Sequence, residues 1–207
     1  IIISGYLGSI DQIDMVKNIK RDFLNKDGLM VVDPVMGDNG ILYSHFDRKF
    51  VEEMKGLCRT ADVIVPNLTE ACFLTDTDYN GVSEKDYLTV ISKLKELCPR
   101  PSVTGCDISG KNGTQSAVFY TDEKGGTKHY STEKVEGAFH GAGDVYASAL
   151  VGCLARGVDT DAAVRIAAEF TTNSIKQTAI DKTEARYGLN SESQMYAYLK
   201  ALNEAAK

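Results

Sequence analysis

The sequence predicts an α/β protein with a mostly parallel central sheet. In the first half of the chain, short β-rich runs alternate with amphipathic stretches that are long enough to form helices. In the second half, two β-rich runs lie close together and are followed by three helical stretches. Alternation of strand and helix is typical of βαβ units, in which a helix connects two parallel strands. We expect a single domain, because 207 residues suit one hydrophobic core.

The first half supplies the parallel strands and the helices between them. Strands are expected at residues 1–3, 29–32, 63–65 and 102–104, and helices at residues 11–25, 46–57 and 83–97. The third helix carries a start signal, because Ser83 and Asp86 stand at the spacing of a capping box. The chain opens on residues that predict a buried strand, with neither a Met nor a polar lead-in, so we expect that N-terminal sequence is missing.

The second half begins with a predicted hairpin and ends in helices. Strands at residues 117–120 and 128–131 flank a polar, Gly-containing loop at residues 122–126, which is typical of an antiparallel hairpin. Helices are expected at residues 143–156, 159–178 and 191–206. The last is expected to start with a capping box formed by Ser191 and Gln194.

Composition and charge exclude several classes of function. A formal net charge of −6 argues against a broad nucleic-acid surface, which requires clustered Lys and Arg. Five cysteines without a C-x-x-C pair indicate neither a zinc site nor a disulfide framework. Apolar runs are too short to cross a bilayer, and nothing resembles a secretory leader. We therefore expect a cytoplasmic protein that binds neither nucleic acid nor membrane.

The strongest chemical motif is Gly141-Ala142-Gly143-Asp144 at the start of a predicted helix. Small residues there let backbone N–H groups approach an anion, and the helix dipole favours negative charge. An Asp beside such a loop can accept the proton of a hydroxyl that attacks a phosphate. The alternative is ordinary helix-start chemistry, in which Gly and Asp are common.

Two further motifs follow predicted parallel strands. The loop from Asp33 to Asp38 places two carboxylates where open α/β sheets bind ligands, although these residue types also form plain turns. Asn67 and Glu70 lie on one side of a helical turn and could orient a hydrated Mg²⁺, or could form a capping box. We expect all three motifs to surround one nucleotide-sized hollow. Neither a Walker P-loop nor a G-x-G-x-x-G motif is present.

In this order and spacing, the three motifs resemble the ribokinase superfamily. Ser4-Gly5-Tyr6 and Gly40-Ile41-Leu42-Tyr43 are similar to the vitamin B6 (pyridoxal, pyridoxine, pyridoxamine) kinase branch. The resemblance implies a ribokinase-like, three-layer α/β/α fold with helices on both faces of the sheet. It also implies a single kinase domain over residues 1–207 that lacks its N-terminal portion.

The resemblance implies transfer of the ATP γ-phosphoryl group to the 5′-hydroxymethyl of a pyridoxal-type substrate. Asp144 would be the catalytic base and contact the substrate, and the anion hole would consist of Gly141, Ala142 and Gly143. Mg²⁺ would be held by Asp33 and Glu70. The ATP-binding residues would be Asp33, Asp38, Tyr43, Asn67, Glu70, Thr104 and Gly105. Tyr6 would touch the pyridine ring, unless it is a core aromatic.

Several points stay open at this level. Ala142 stands where many relatives carry Thr, which removes a hydroxyl but keeps the backbone donors. His140 and Lys176 could contact the nucleotide or simply face solvent. The same motifs fit a hydroxymethylpyrimidine or sugar kinase, a non-catalytic nucleotide-binding regulator, or a piece that needs a partner chain to complete its sheet. A requirement for a monovalent cation and a homodimeric state are also compatible with the sequence.

Overall fold

The computed structural model describes residues 1–111, 113–182, 184 and 187–206. Contacts between Cα atoms divide the chain into two compact units. The first unit comprises Ile1–Cys106 and Phe119–Lys128, and the second comprises Asp107–Val118 and His129–Lys207. None of the helices within the described residues combines the length and the hydropathy that a membrane crossing needs.

Strands and helices follow the predicted alternation. The strands are β1 (Ile2–Ser4), β2 (Met30–Val32), β3 (Gly37–Asp38), β4 (Ile41–Leu42), β5 (Val63–Ile64), β6 (Arg100–Gly110), β7 (Gly113–Thr121) and β8 (Thr127–Glu133). The α-helices are α1 (Ile10–Phe23), α2 (Arg48–Cys58), α3 (Leu68–Leu74), α4 (Tyr87–Leu94), α5 (Ala142–Ala155), α6 (Thr160–Asp181) and α7 (Met195–Ala205). Short 3₁₀ turns are Tyr79–Gly81, Glu84–Asp86 and Glu192–Gln194.

The main sheet has the strand order β1-β2-β5-β6-β7-β8, and β3 pairs with β4 in a separate two-stranded sheet. The pairs β1/β2, β2/β5 and β5/β6 are parallel, with Ile2 opposite Met30 and Val32 opposite Ile64. Strands β7 and β8 are neighbours joined by a tight loop, in which the Asp122 N–H donates to the Gly126 carbonyl at 2.9 Å. These pairings confirm the predicted α/β class and the mostly parallel sheet.

The core of the first unit lies along β2, β5 and α2. The fully buried apolar residues here include Met30, Val31, Val32, Met54, Leu57 and Ile64. Side chains cap the helices that pack around them: Ser9 accepts from the Gln12 N–H at 3.3 Å, and Asp47 accepts from the Phe50 N–H at 2.9 Å. Each cap satisfies a backbone donor that the helix itself cannot satisfy, so these helix starts are fixed locally.

The first strand is less buried than its sequence predicts. Ile1 and Ile3 are exposed, because β1 lies at one end of the strand order and has a single neighbour, β2. In α1 only Ile13 is fully buried, while Met15, Ile19 and Phe23 are exposed at helical spacing. The prediction of a buried strand is therefore wrong for Ile1 and Ile3, and an apolar stripe on α1 faces solvent.

In the second unit, α5 packs against α6 and α6 against α7. Fully or nearly fully buried residues in this packing include Leu150, Cys153, Ala163, Val164, Ile166 and Ala167. Asp159 caps α6 by accepting from the Ala162 N–H at 2.9 Å. The predicted capping box at Ser191 is wrong: Ser191 has helical backbone angles and its side chain makes no cap hydrogen bond, because a 3₁₀ turn precedes α7.

Candidate active site

Asp33 lies immediately after β2, as the sequence predicts. The residue is buried, and its backbone N–H donates to the Ser4 carbonyl at the end of β1, at 2.9 Å. Its own carbonyl accepts from the Val35 N–H at 2.9 Å, which turns the chain sharply after the strand. The structure therefore fixes Asp33 at the carboxyl ends of two adjacent parallel strands, where open α/β sheets bind ligands.

A small hairpin follows, formed by β3 and β4 around Asn39 and Gly40. Both turn residues have positive φ, 50° and 78°, as the tight turn of a two-residue hairpin requires. At Gly37, a Cβ would come within 2.5 Å of the Ile41 carbonyl oxygen, so only glycine fits there. The Asp38 carboxylate is exposed and accepts from the Asn39 N–H at 2.9 Å. Asp38 thus sits at the tip of an ordered hairpin.

Asn67 and Glu70 form a capping box at the start of α3. The Asn67 side chain accepts from the Glu70 N–H at 2.9 Å, and Glu70 Oε2 accepts from the Asn67 N–H at 2.8 Å. The same side chains also reach the segment after β2: Glu70 Oε1 accepts from the Met36 N–H at 3.1 Å, and Asn67 Nδ2 donates to the Gly37 carbonyl at 2.9 Å. The capping box and a link to the carboxylate loop therefore coexist.

Glu70 lies in an unusual electrostatic environment. Burial, and after it the charge of nearby Asp33, raise the pKa of its carboxyl to about 8, although hydrogen bonds from backbone N–H groups act to lower it. The residue is only 2% exposed. Two carboxyl groups held this close in a buried place suit a cation, which would compensate the charge of both.

Thr104 and Gly105 lie beside this group. Thr104 forms a parallel bridge with Asn67, and its N–H donates to the Pro66 carbonyl at 3.0 Å. The sequence predicts that these two residues lie at the end of their strand. In the structure both lie within β6, which continues to Gly110. Gly105 has a φ of 70°, which interrupts the regular strand geometry next to α3. Both residues therefore lie close to Asn67, and their contact with the nucleotide stays a prediction.

Two tyrosines flank the loops of the first unit. Tyr43 follows β4, is 39% exposed, and donates its backbone N–H to the Met36 carbonyl at 3.0 Å. Tyr6 follows β1 and is 54% exposed, so the alternative that it is a core aromatic is wrong.

In the second unit, the Gly141–Asp144 motif opens α5 as predicted. Gly141 has a left-handed backbone (φ 81°) and makes no side-chain cap. The Val145 N–H donates to the Gly141 carbonyl at 3.0 Å. The N–H groups before Val145 therefore lie at the open end of the helix. Gly143 and Asp144 are exposed, and a Cβ at Gly143 would meet no atom within 4 Å. This geometry suits an anion at the helix start, with Asp144 beside it.

A hollow of about 170 Å³ lies next to this motif, within the second unit. Its lining includes Phe139, His140, Thr178 and Lys182. His140 is exposed, which leaves its predicted role beside the anion site open. Lys176 instead pairs with Glu133 at 2.6 Å on the surface, which agrees with the solvent-facing alternative.

The structure thus groups the predicted residues in two sets. The first unit brings together Asp33, Asp38, Asn67, Glu70, Thr104 and Gly105. The second unit holds Gly141, Ala142, Gly143 and Asp144. Within residues 1–111, 113–182, 184 and 187–206, no group of three or more His, Cys, Asp or Glu forms a complete metal cage. Mg²⁺ does not require such a cage, because it is commonly bound by one or two carboxylates together with phosphates and water.

The sheet is mostly parallel, carboxylates follow β2, and α5 starts at a glycine without a side-chain cap. Together these features define the class of ribokinase-like α/β proteins. Residues 4–188 match the model of the family described as phosphomethylpyrimidine kinase, and the chain belongs to this family.

Curated relatives are similar to most of this chain but are longer. The pyridoxine kinase of Bacillus subtilis is 30% identical over 181 residues, which are 84% of this chain and 63% of that protein. A relative from Caenorhabditis elegans is 28% identical over 154 residues, which are 72% of this chain and 47% of that protein. The chain therefore spans about half to two thirds of the length of these relatives.

Solved structures agree in fold over nearly the whole chain. The pyridoxal kinase of Lactobacillus plantarum has a TM-score of 0.83 at 29% identity, over 98% of this chain and 71% of that one. A Bacteroides thetaiotaomicron protein crystallised with pyridoxal has a TM-score of 0.83 at 30% identity, over 98% and 69%. Pyridoxal kinase from Leishmania donovani, in complex with ADP and pyridoxamine, has a TM-score of 0.74 at 25% identity, over 96% and 68%. These matches confirm the predicted ribokinase-like fold.

Proposed function

We propose that this chain carries the ATP-binding and catalytic part of a cytoplasmic kinase for vitamin B6. The enzyme transfers the γ-phosphoryl group of ATP to the 5′-hydroxymethyl group of pyridoxal, pyridoxine or pyridoxamine. The observation that carries the proposal is the open start of α5, where Gly141 has left-handed geometry and Asp144 is exposed in the first helical turn. That arrangement provides an anion site and a proton acceptor on the same turn.

In this mechanism, Asp144 accepts the proton of the substrate hydroxyl while the hydroxyl oxygen attacks the γ-phosphorus. The bond between the γ-phosphorus and the bridging β–γ oxygen breaks, and ADP leaves. The backbone N–H groups of Gly141, Ala142 and Gly143 bind the phosphoryl oxygens, on which negative charge accumulates. Because these donors belong to the backbone, the Ala at position 142 supplies the same interaction as a Thr would. Lys182 and His140 line the neighbouring hollow and add positive or hydrogen-bonding groups beside the anion site.

The first unit supplies the groups for ATP and its metal ion. Mg²⁺, when bound, neutralises the phosphate charge and orients the phosphates. Asp33 and Glu70 are the carboxylates that would hold it, since they lie close enough for one to raise the pKa of the other. Both Glu70 oxygens already accept backbone N–H groups, so we assign Glu70 a second role in holding the loop that carries Asp33. Asp38, Tyr43, Asn67, Thr104 and Gly105 complete the ATP-binding set.

Substrate choice rests on the relatives. The neighbour crystallised with pyridoxal and the named pyridoxal and pyridoxine kinases favour a vitamin B6 substrate. The description of the matched family favours a second candidate, a hydroxymethylpyrimidine kinase. Both substrates are heteroaromatic alcohols, so one phosphoryl-transfer site fits either.

An ADP-release assay tests the proposal. The protein is incubated with ATP, Mg²⁺ and each of pyridoxal, pyridoxine, pyridoxamine, hydroxymethylpyrimidine and ribose. We expect ADP release with at least one B6 vitamer at a kcat/KM well above that for the pyrimidine and the sugar. Preference for hydroxymethylpyrimidine would favour the second candidate. Nucleotide binding by calorimetry, with no ADP release on any alcohol, would instead indicate a non-catalytic nucleotide-binding protein.

A further inference from the structure

Tyr6 and His45, which are 39 positions apart, share a hydrogen bond. The distance between Tyr6 Oη and His45 Nε2 is 2.7 Å, and the histidine tautomer decides which of the two groups donates the hydrogen bond. The two rings meet edge to face, with centroids 6.0 Å apart. The bond connects the loop after β1 to the segment that leads from β4 into α2. Both side chains are exposed, so the pair lies on the surface of the first unit.

His45 is anchored through the residue that follows it. Phe46 is buried and stacks on Phe50 in the first turn of α2, with ring centroids 3.9 Å apart. The His45 ring packs on the Phe46 ring, with ring centroids 4.2 Å apart. The Phe46 N–H donates to the Tyr43 carbonyl at 2.9 Å. Because Asp47 caps α2 directly after this pair, the backbone that carries His45 is fixed on both sides. His45 is therefore a rigid support for the Tyr6 ring. The Tyr6 ring also lies beside the Phe46 ring, with ring centroids 5.9 Å apart.

From this geometry we propose that His45 is a positioning residue for Tyr6, and that the Tyr6–His45 hydrogen bond sets the affinity for the heteroaromatic ring of the substrate. The inference rests on the proposed function and on the contact of Tyr6 with that ring, which the sequence resemblance implies. An exposed tyrosine on a loop samples several rotamers, and each rotamer that is removed before binding lowers the entropy cost of binding. The hydrogen bond selects one rotamer, so its loss weakens substrate binding without touching the phosphoryl-transfer groups.

A double-mutant cycle tests the inference by kinetics. The variants are Tyr6→Phe, His45→Ala and the double variant, with His129→Ala as a matched control on β8. A neutral hydrogen bond of about 1 kcal/mol corresponds to about fivefold in affinity. We expect each single variant to raise the KM for pyridoxal about fivefold while the KM for ATP stays within about twofold, and the double variant to be no worse than either single one. His45→Gln, which keeps a hydrogen-bonding group at a similar reach, should restore the KM.

Two kinetic outcomes would overturn the inference. In the first, the double variant raises the KM for pyridoxal by the product of the two single effects, which means that the residues act independently. In the second, the KM values for ATP and pyridoxal rise in parallel, which indicates a general loss of structure.

An NMR measurement separates failure of this inference from failure of the proposed function. The chain has three histidines, so the ring signals of His45, His129 and His140 can be assigned by substitution. Tyr6→Phe should shift the His45 signals and leave those of His129 unchanged, and added pyridoxal should perturb His45 less strongly in Tyr6→Phe than in the parent protein. Absence of ADP release on every alcohol would refute only the proposed function. If the His45 ring signals shift neither in Tyr6→Phe nor on addition of pyridoxal, the inference is refuted, even in an active kinase.

Discussion

The carboxylate of Glu70 accepts a hydrogen bond of 3.1 Å from the backbone N–H of Met36, across 34 positions of sequence. With its other oxygen, Glu70 caps the start of α3 through the Asn67 N–H at 2.8 Å. One buried side chain therefore fixes both a helix start and the segment after β2 that carries Asp33.

Loss of the Glu70 carboxylate should destabilise the protein. In Glu70→Ala, the N–H groups of Met36 and Asn67 lose their acceptors, and each unsatisfied buried donor costs about 1–3 kcal/mol. We expect the free energy of unfolding to fall by about 2–4 kcal/mol. Urea unfolding followed by circular dichroism measures this, with Glu96→Ala, an exposed residue after α4, as the control. Equal unfolding midpoints for Glu70→Ala and the parent protein would refute this role.

The raised pKa of Glu70 predicts a pH dependence of stability. The pKa of the Glu70 carboxyl is about 8 in the folded protein and has its ordinary value of 4.5 in the unfolded chain. Unfolding therefore releases a proton between these two values. The contribution of Glu70 to stability is fully present below pH 4.5 and is lost as pH rises toward 8, with a slope of at most about 1.4 kcal/mol per pH unit.

The corresponding measurement is a series of urea unfolding curves between pH 5 and 8.5. Glu70→Gln removes the titrating group at nearly constant shape, so the decline with pH should be shallower in this variant than in the parent protein. Identical pH profiles for the two proteins would show that Glu70 is charged in the folded state throughout this range.

Asp76 should contribute to stability through Lys55. The Lys55 side chain is 6% exposed, and its ammonium pairs with Asp76 at 2.7 Å and with Glu52 at 2.9 Å. Asp76 also has a φ of 50°, which Asn tolerates better than Ala. Because the Asp76 side chain is 66% exposed, we expect Asp76→Ala to lower the free energy of unfolding by only about 1 kcal/mol and Asp76→Asn to lower it by less.

Thermal unfolding of both Asp76 variants tests this order. Asp22→Asn is the matched control, because Asp22 pairs with Arg21 on the surface and should leave the midpoint unchanged. If Asp76→Asn is as destabilising as Asp76→Ala, the charge interaction accounts for the whole effect. If neither variant lowers the midpoint, Asp76 plays no part in holding Lys55.

The cysteines should be unreactive in the folded protein. The five buried cysteines, none of which forms a disulfide, are Cys58, Cys72, Cys98, Cys106 and Cys153. Burial raises the pKa of Cys72 and of Cys98 to about 11, and it raises the pKa of Cys58 still further. Because the thiolate is the reactive form, Ellman's reagent should modify less than one thiol rapidly in native protein and all five after denaturation. Rapid modification of a native thiol would contradict the buried positions.

The sequence predicts the parts of the fold that rest on local patterns. Helices α1, α2, α5 and α6 lie within a few residues of their predicted bounds, because amphipathic periodicity and capping residues act over short distances. The pattern of β-rich runs does not predict the β3/β4 hairpin, because its strands have only two residues each, although Asn39-Gly40 is a strong hairpin signal. The predicted strand at residues 102–104 is shorter than β6, because a glycine at position 105 is typical of a strand end.

The sequence predicts where the candidate residues lie along the chain, but not their long-range contacts. Asp33, Asn67 and Glu70 were identified from their place after strands, which is a local property. Two contacts could not be predicted: the Glu70 bond to Met36 and the Tyr6 bond to His45 join segments 34 and 39 positions apart. Their partners are set by tertiary packing, and His45 stands in no recognisable sequence pattern. The joint action of the two residue sets on one nucleotide stays a prediction.

The most direct test of the account is the turnover of Asp144→Asn. Asn keeps the size of the side chain but cannot accept the substrate proton, so kcat should fall by about 10²–10⁴ while the dissociation constant for ATP stays within a few-fold. Asp159→Asn, at the start of α6 where Asn is an equally good cap, serves as the control and should keep parental turnover. Near-parental kcat in Asp144→Asn would contradict the account, because the open start of α5 would then carry no base.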